Sequence, residues 1–318
     1  MKYSKLNKFI VIMFYFFISM VIVRCKVNET TGLRTSWTSV HNELINNSFK
    51  APMQYRLLHF YLAELLRYVL PVNISDIYIL LRLLWTFLSF ISLHYFLKHW
   101  FDFSNVLIGS FFFAIAQFWS IDPFVQEAEP LNILFFILGI MSIRDNKFKR
   151  LLLIVTIGSF NKMTMIFLPA LYFIVFIQKE NLKRVVIRSI ALFSPVVIIC
   201  GGIRLYYNHY YSTEYMTSFF QYKQNWLSLV AAYHSFPYHF FEFFGLGIFY
   251  MYNVLWILIF IGFGKFPSFI KRSLLLIPLF FGSHFIIARI MENRLFLPLA
   301  PIIICAGLFG WKELKKRN

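Results

Sequence analysis

Charge is what this sequence has least of. Only 14% of its 318 residues are charged, and only 14 of them are acids. A soluble domain carries about a quarter. Hydrophobic residues make up 59%, including 41 phenylalanines, and mean hydropathy is +0.65. A water-soluble fold has nowhere to bury so many aromatic side chains, so a soluble globular class is excluded. Cysteine is scarce too. Cys25, Cys200 and Cys305 are odd in number and mostly inside apolar runs, which excludes a disulfide framework or a cysteine metal site. Sites with a local signature are also missing. There is no phosphate-loop glycine pattern, no HExxH and no nucleophile elbow. The eight histidines have no ligand spacing, and His94, His99 and His284 read as packing or interface residues. No transporter-type repeat is evident.

What is present is a series of apolar runs, at 9–23, 77–97, 104–121, 130–143, 151–161, 164–178, 186–203, 240–263, 273–288 and 295–311. A full membrane crossing takes roughly 20 residues. The pattern predicts an all-α polytopic membrane protein, one transmembrane domain over 1–318, with about ten membrane-embedded helices. The runs at 130–143, 151–161 and 164–178 are short for a crossing. The first run follows Lys2, Lys5 and Lys8 as a signal peptide would, but Val21-Ile22-Val23-Arg24 is no small-residue cleavage site. It is expected to stay as an anchor.

Basic residues set the orientation. With the N-terminus in the cytoplasm, the inner loops are 1–8, 98–103, 144–150, 179–188, 264–272 and 311–318. These 48 residues hold 19 of the 31 basic residues and 4 of the 14 acids. Both termini are therefore expected in the cytoplasm, with 24–76 and 204–239 outside. The membrane would be the plasma membrane in a prokaryote and the endoplasmic reticulum in a eukaryote. The net charge of +17 sits in short blocks between spans, which makes it a topology signal and argues against a nucleic-acid partner. Preserving the alternation requires 151–178 to be a hairpin turning at Asn161-Lys162. Lys162 then needs a partner or water.

In the first outer stretch, APMQYRLLHFYLAELLRYVLP predicts an interfacial helix, with Pro52 in its first turn and Pro71 ending it. Arg56, His59, Ala63 and Arg67 recur at helical spacing, and leucines cover the rest. Such a helix suits a membrane surface. The second stretch, 204–239, is rich in interfacial tyrosine. Five polar clusters share the outer side. They are HNE with Glu43, the Arg56/His59 face, IDPFVQEAEP with Asp122, Glu127 and Glu129, the Asn161-Lys162 turn, and RIMENR with Arg289, Glu292 and Arg294. Glu43, Glu127, Glu129, Lys162, Arg289, Glu292 and Arg294 are expected to line one outward-facing cavity.

The order of these pieces resembles the GT-C glycosyltransferases. A single anchor precedes a long acidic outer loop with a flat helix. LLRLLWTFLSF, with Arg82, looks like the family's second-span pattern. IGSFNKMTMIFLPAL is similar to its short hairpin, and ENRLFLPLAP to its late acid, arginine, aromatic and Leu-Pro motif. The resemblance implies transfer of a sugar from a polyprenyl-phosphate carrier to a glycan, lipid or protein acceptor. No bound cofactor is implied; the lipid-phosphate-linked sugar is the donor substrate, and use of a divalent metal stays open. Where the family carries an acidic pair or an Asp in the first outer loop, this chain has Glu29 and Glu43, well separated. Glu43 is the first choice of catalytic base, with Glu127 or Glu129 as alternatives. Arg56, His59, Lys162, Arg289, Glu292 and Arg294 are the candidate phosphate and substrate contacts. A polysaccharide polymerase or ligase, a transporter and a non-catalytic membrane subunit stay open on the residues alone.

Overall fold

A computed structural model describes residues 5–28, 33–120, 126–211, 220–234, 251–290 and 292–317. Among them the chain is all-helical. In chain order the α-helices are α1 (Lys5–Asn28), α2 (Leu33–Ile45), α3 (Leu57–Val69), α4 (Ile74–Leu97), α5 (Phe103–Ser120), α6 (Ala128–Arg144) and α7 (Phe148–Ser159). They continue as α8 (Phe167–Phe176), α9 (Leu182–Tyr211), α10 (Tyr222–His234), α11 (Val254–Gly262), α12 (Ser268–Ser273), α13 (Leu276–Ile287) and α14 (Ala300–Arg317). Short 3-10 turns at Met53–Tyr55, Met163–Ile166 and Asn293–Leu299 lead into α3, α8 and α14.

Six helical segments are long and apolar enough to cross a membrane: Lys8–Val27, Ile74–Leu97, Phe103–Ser120, Leu182–Tyr211, Ser268–Ile287 and Asn293–Lys316. They match six of the ten apolar runs, and the architecture is that of a multi-pass helical membrane protein. The other runs form shorter helices, α6, α7, α8 and α11. Residues 240–250 of the 240–263 run lie outside the described residues.

Among the short helices, α6 is interior. No residue of α6 is exposed. A helix that is apolar all round belongs in the interior of a bundle, and α6 packs against α4, α7, α8 and the 3-10 turn before α14. Pro130 sits in its first turn, where a missing N–H costs no helical hydrogen bond. Asn146, at φ 51°, turns the chain after its end. At the other side of the bundle, α11 and α14 approach as closely as two backbones can. A Cβ on Gly310 would lie 1.8 Å from the carbonyl oxygen of Leu258. Small residues permit this contact, the usual route to tight helix packing in lipid.

Two expectations for the outer stretches need correction. The helix after Ala51-Pro52 starts at Leu57, not in the first turn after Pro52. Residues 53–55 form a separate 3-10 turn, and Arg56, at φ −92° and ψ 62°, leaves helical geometry before α3 begins. Its end agrees with the expectation. Leu70 is extended because Pro71 follows, and α3 stops at Val69. The stretch 204–239 is not one loop: α9 continues to Tyr211, and 222–234 form α10. The first outer stretch also contains α2. Trp37 and Leu44 of α2 pack with Phe60 and Ala63 of α3 and with Ile77, Tyr78 and Leu81 of α4 in a second, smaller core. These two helices cover the N-terminal end of α4. Tyr61, Leu65, Tyr68 and Val69 of α3 remain exposed, while His59, Phe60 and Ala63 point into the protein.

Candidate functional site: a buried ionic cluster at the N-terminal end of α6

The chain enters α6 with two buried acids, Glu127 and Glu129. Carboxylates in the first turn of a helix lie where the backbone dipole favours negative charge. That gain is under about 2 kcal/mol, whereas burying a lone carboxylate costs several. Each acid therefore needs a cation, and each has one. Arg82, on α4, bonds both oxygens of Glu127, Nε at 3.0 Å and Nη2 at 2.5 Å. Lys162 Nζ donates to Glu129 Oε1 at 2.5 Å, and Arg56 Nη1 lies 3.5 Å from the same oxygen.

The hairpin turn between α7 and α8 delivers Lys162. Three neighbouring bonds fasten this turn to α6. Asn161 Nδ2 donates to the Ala128 carbonyl at 3.0 Å, Lys162 to Glu129, and Thr164 Oγ1 to Asn132 Oδ1 at 3.0 Å. The Leu58 N–H donates to the Phe160 carbonyl at 3.0 Å, which brings α3, and with it Arg56, to the same place. Arg294 arrives from the turn before α14. It is held by Glu292, Nη2 at 2.6 Å and Nε at 3.0 Å, and its charge is felt by Glu129, Lys162 and Arg56. Among the described residues, Arg56, Lys162 and Arg294 thus gather around Glu129 and Glu292. Burial pushes the Lys162 ammonium down to about 8, against the opposing pull of Glu129.

His59, on the inward face of α3, is fully buried and neither ring nitrogen has a hydrogen-bond partner. Burial, with Arg82 and Arg56 nearby, pushes this imidazole down to about 3, so it is neutral at ordinary pH. Glu129 Oε2, Asn132 Nδ2 and Asn161 Oδ1 are also buried without a hydrogen bond. So many unmatched polar atoms in one place are uncommon in a folded protein. An open apolar depression of about 350 Å³ lies between α3 and the end of α7, lined by Leu57, Leu58, Tyr61, Leu62, Leu65 and Phe160. Arg56 directly precedes one wall, and Lys162 follows Phe160 by two residues.

Of the residues expected to share one cavity, the structure brings together Glu129, Lys162, Glu292 and Arg294, with Arg56 and His59 beside them. Glu127 is buried next to them but occupied by Arg82. Two are not joined to the cluster. Glu43 is exposed and accepts a 3.2 Å bond from Ser39, because its position on α2 faces away from α4. Arg289 is exposed at the rim of its turn. Asp122 and Glu29 lie outside the described residues.

The sequence reading missed a hydrogen-bonded chain beside His59. His41 Nε2 donates to Glu64 Oε2 at 2.8 Å, and His41 Nδ1 accepts from the Tyr78 hydroxyl at 2.7 Å. Burial lowers the His41 pKa despite Glu64. The His59 ring stacks on Tyr78 with centroids 5.6 Å apart. These groups come from α2, α3 and α4, so no local spacing announces them. Arg82 had a visible signal, a lone cation in an apolar span that had to find an acid. Among the described residues no three His, Cys, Asp or Glu side chains gather as metal ligands would.

The arrangement suits an anion. Arginine and lysine side chains, two of them nearly dehydrated, converge close in the chain to an oily depression, and charge-assisted bonds to phosphate are strong there. Comparisons with family models, with curated proteins and with solved structures match nothing.

Proposed function

We propose that this protein is a membrane glycosyltransferase that takes a sugar from a polyprenyl-phosphate carrier and gives it to an acceptor at the outer or lumenal face. The observation that carries this reading is the convergence of Arg56, Lys162 and Arg294 around Glu129, close in the chain to an apolar depression on α3. A lipid phosphate presents the complementary pair, an anion and an oily chain. The same reading takes all ten apolar runs as membrane-embedded, keeps both termini in the cytoplasm, and lays α3 flat at the outer interface with Tyr61, Leu65 and Tyr68 in the lipid.

The chemistry follows from the charges. An acceptor hydroxyl loses its proton to a carboxylate as its oxygen attacks the anomeric carbon. The bond from that carbon to the phosphate oxygen breaks, and the lipid phosphate leaves with the electron pair, stabilised by Arg56, Lys162 and Arg294. Glu127 and Glu129 are committed to buried ion pairs, which suits them to holding cations rather than taking a proton. Glu43, exposed and accepting one bond from Ser39, is the first choice of base on the resemblance; it is not joined to the cation cluster, so this role requires α2 to bring it within hydrogen-bond reach of the acceptor hydroxyl in the donor complex.

The test is transfer and binding with purified protein in nanodiscs and a polyprenyl-phosphate sugar. Glu43→Gln is expected to abolish transfer and keep donor binding, since only the proton acceptor is lost. Arg294→Ala is expected to weaken donor binding roughly tenfold or more, as loss of a charged hydrogen bond does. Near-normal transfer by Glu43→Gln would move the base elsewhere. Unchanged donor binding by Arg294→Ala would remove the phosphate site.

A further inference from the structure

Another groove lies between α1 and α4, at the opposite end of α4 from Tyr78 and Arg82. It encloses about 190 Å³, and its walls include Lys8, Ile12, Ile91, His94, Tyr95 and Lys98. None of its lining residues is acidic. The apolar stretch of α1 able to cross a membrane begins at Lys8, and that of α4 ends at Leu97, one residue before Lys98. The two helices pack side by side, so both lysines stand at the same membrane boundary on antiparallel neighbours. Both are exposed.

The floor of the groove is fixed. His94 is buried, and its Nδ1 is 2.9 Å from the Tyr15 hydroxyl, which also lies 3.0 Å from Ser110. This ties α1, α4 and α5 together behind the groove. The side walls are apolar and open to the surroundings: Ile12 is 45% exposed and Tyr95 58%.

Two cations at the end of an oily channel, level with the membrane boundary, fit a lipid whose head is negative. We propose that this groove holds one anionic phospholipid, with its phosphate between the ammoniums of Lys8 and Lys98 and an acyl chain along Ile12, Ile91 and Tyr95. Charge decides the occupant, because a zwitterionic headgroup brings its own cation to the two lysines. The site is separate from the cluster at α6 and does not rest on the transfer reading.

The experiment is native mass spectrometry of the full chain in mild detergent, titrated with phosphatidylglycerol or with phosphatidylcholine of the same acyl chains. One phosphatidylglycerol should be retained more tightly than phosphatidylcholine. A juxtamembrane lysine contributes about a fivefold factor in binding an anionic surface. Lys8→Ala and Lys98→Ala should each weaken retention about fivefold and the pair roughly 25-fold, while Lys8→Arg with Lys98→Arg keeps it. Ile91→Trp, which fills the channel, should also expel the lipid. As a control, Lys149→Ala with Arg150→Ala removes the same charge from the exposed first turn of α7 and should change nothing. Equal retention of the two lipids would overturn the proposal. So would a control that loses as much as the groove pair, or displacement of the lipid by millimolar inorganic phosphate.

Discussion

Replacing Glu129 with glutamine keeps the shape of the side chain and removes one negative charge from a buried cluster in which it meets Lys162 and Arg56. Glu129 is 1% exposed. Its Oε1 receives Lys162 at 2.5 Å and lies 3.5 Å from Arg56, whose side chains are themselves nearly buried. Unit charges about 4 Å apart attract by roughly 4 kcal/mol at an effective dielectric near 20. Most of that attraction is offset by the cost of dehydrating the ions when the pair is intact. In Glu129→Gln the cost of burying Lys162 and Arg56 remains while the attraction is gone. Breaking a buried pair in this way destabilises by about 3–5 kcal/mol. At about 2 °C per kcal/mol for a chain of this size, the midpoint of thermal unfolding should fall by roughly 6–10 °C. Fluorescence-detected size-exclusion chromatography after heating would read the shift. The double variant Glu129→Gln with Lys162→Met removes the stranded ammonium and should recover part of the loss, giving a coupling free energy of opposite sign to the single losses. A midpoint within about 1 °C of wild type for Glu129→Gln would refute the reasoning, since it would mean the three cations do not depend on this carboxylate.

Two further outcomes follow from the helix packing and the topology. Gly310→Ala should destabilise by about 3 kcal/mol or more, because its Cβ would meet the Leu258 carbonyl oxygen at 1.8 Å and two backbones must part. Gly201→Ala on α9 meets nothing within 4 Å and should stabilise by up to ~1 kcal/mol through helix propensity; thermal midpoints of the two variants should move in opposite directions. On the proposed orientation, single cysteines placed within 33–48 should react with an impermeant maleimide in intact cells and those within 144–150 should not. Labelling of 144–150 would invert the topology.

Some of this protein was determined by the sequence alone. Long apolar runs bounded by charge become helices wherever they fold, because lipid or a packed interior leaves backbone groups no other partner. Thus six runs reappear as helices long enough to cross a membrane, and the turn at Asn161-Lys162 stands where the alternation of basic loops required it. Pro71 ends α3 for a steric reason that is local to the chain. The need of Lys162 for a partner was also legible, since a cation among apolar residues cannot stay alone. Only the tertiary structure chose the partners. Glu127 and Glu129 are two residues apart where the chain enters α6, yet one answers Arg82 from α4 and the other Lys162 and Arg56 from the α7–α8 turn and the residue before α3. His41 and Glu43 are also two residues apart, and α2 buries the first against Glu64 and Tyr78 while it exposes the second. Arg294 joins the cluster and Arg289, five residues earlier, does not. For the pair on α2 the decision is rotational, since about 100° per residue separates neighbours on a helix; in every case, which side meets another element is set by packing between segments far apart in the chain. The same packing makes α6 the interior helix despite its short run, because its surface is covered by α4, α7 and α8 rather than by lipid.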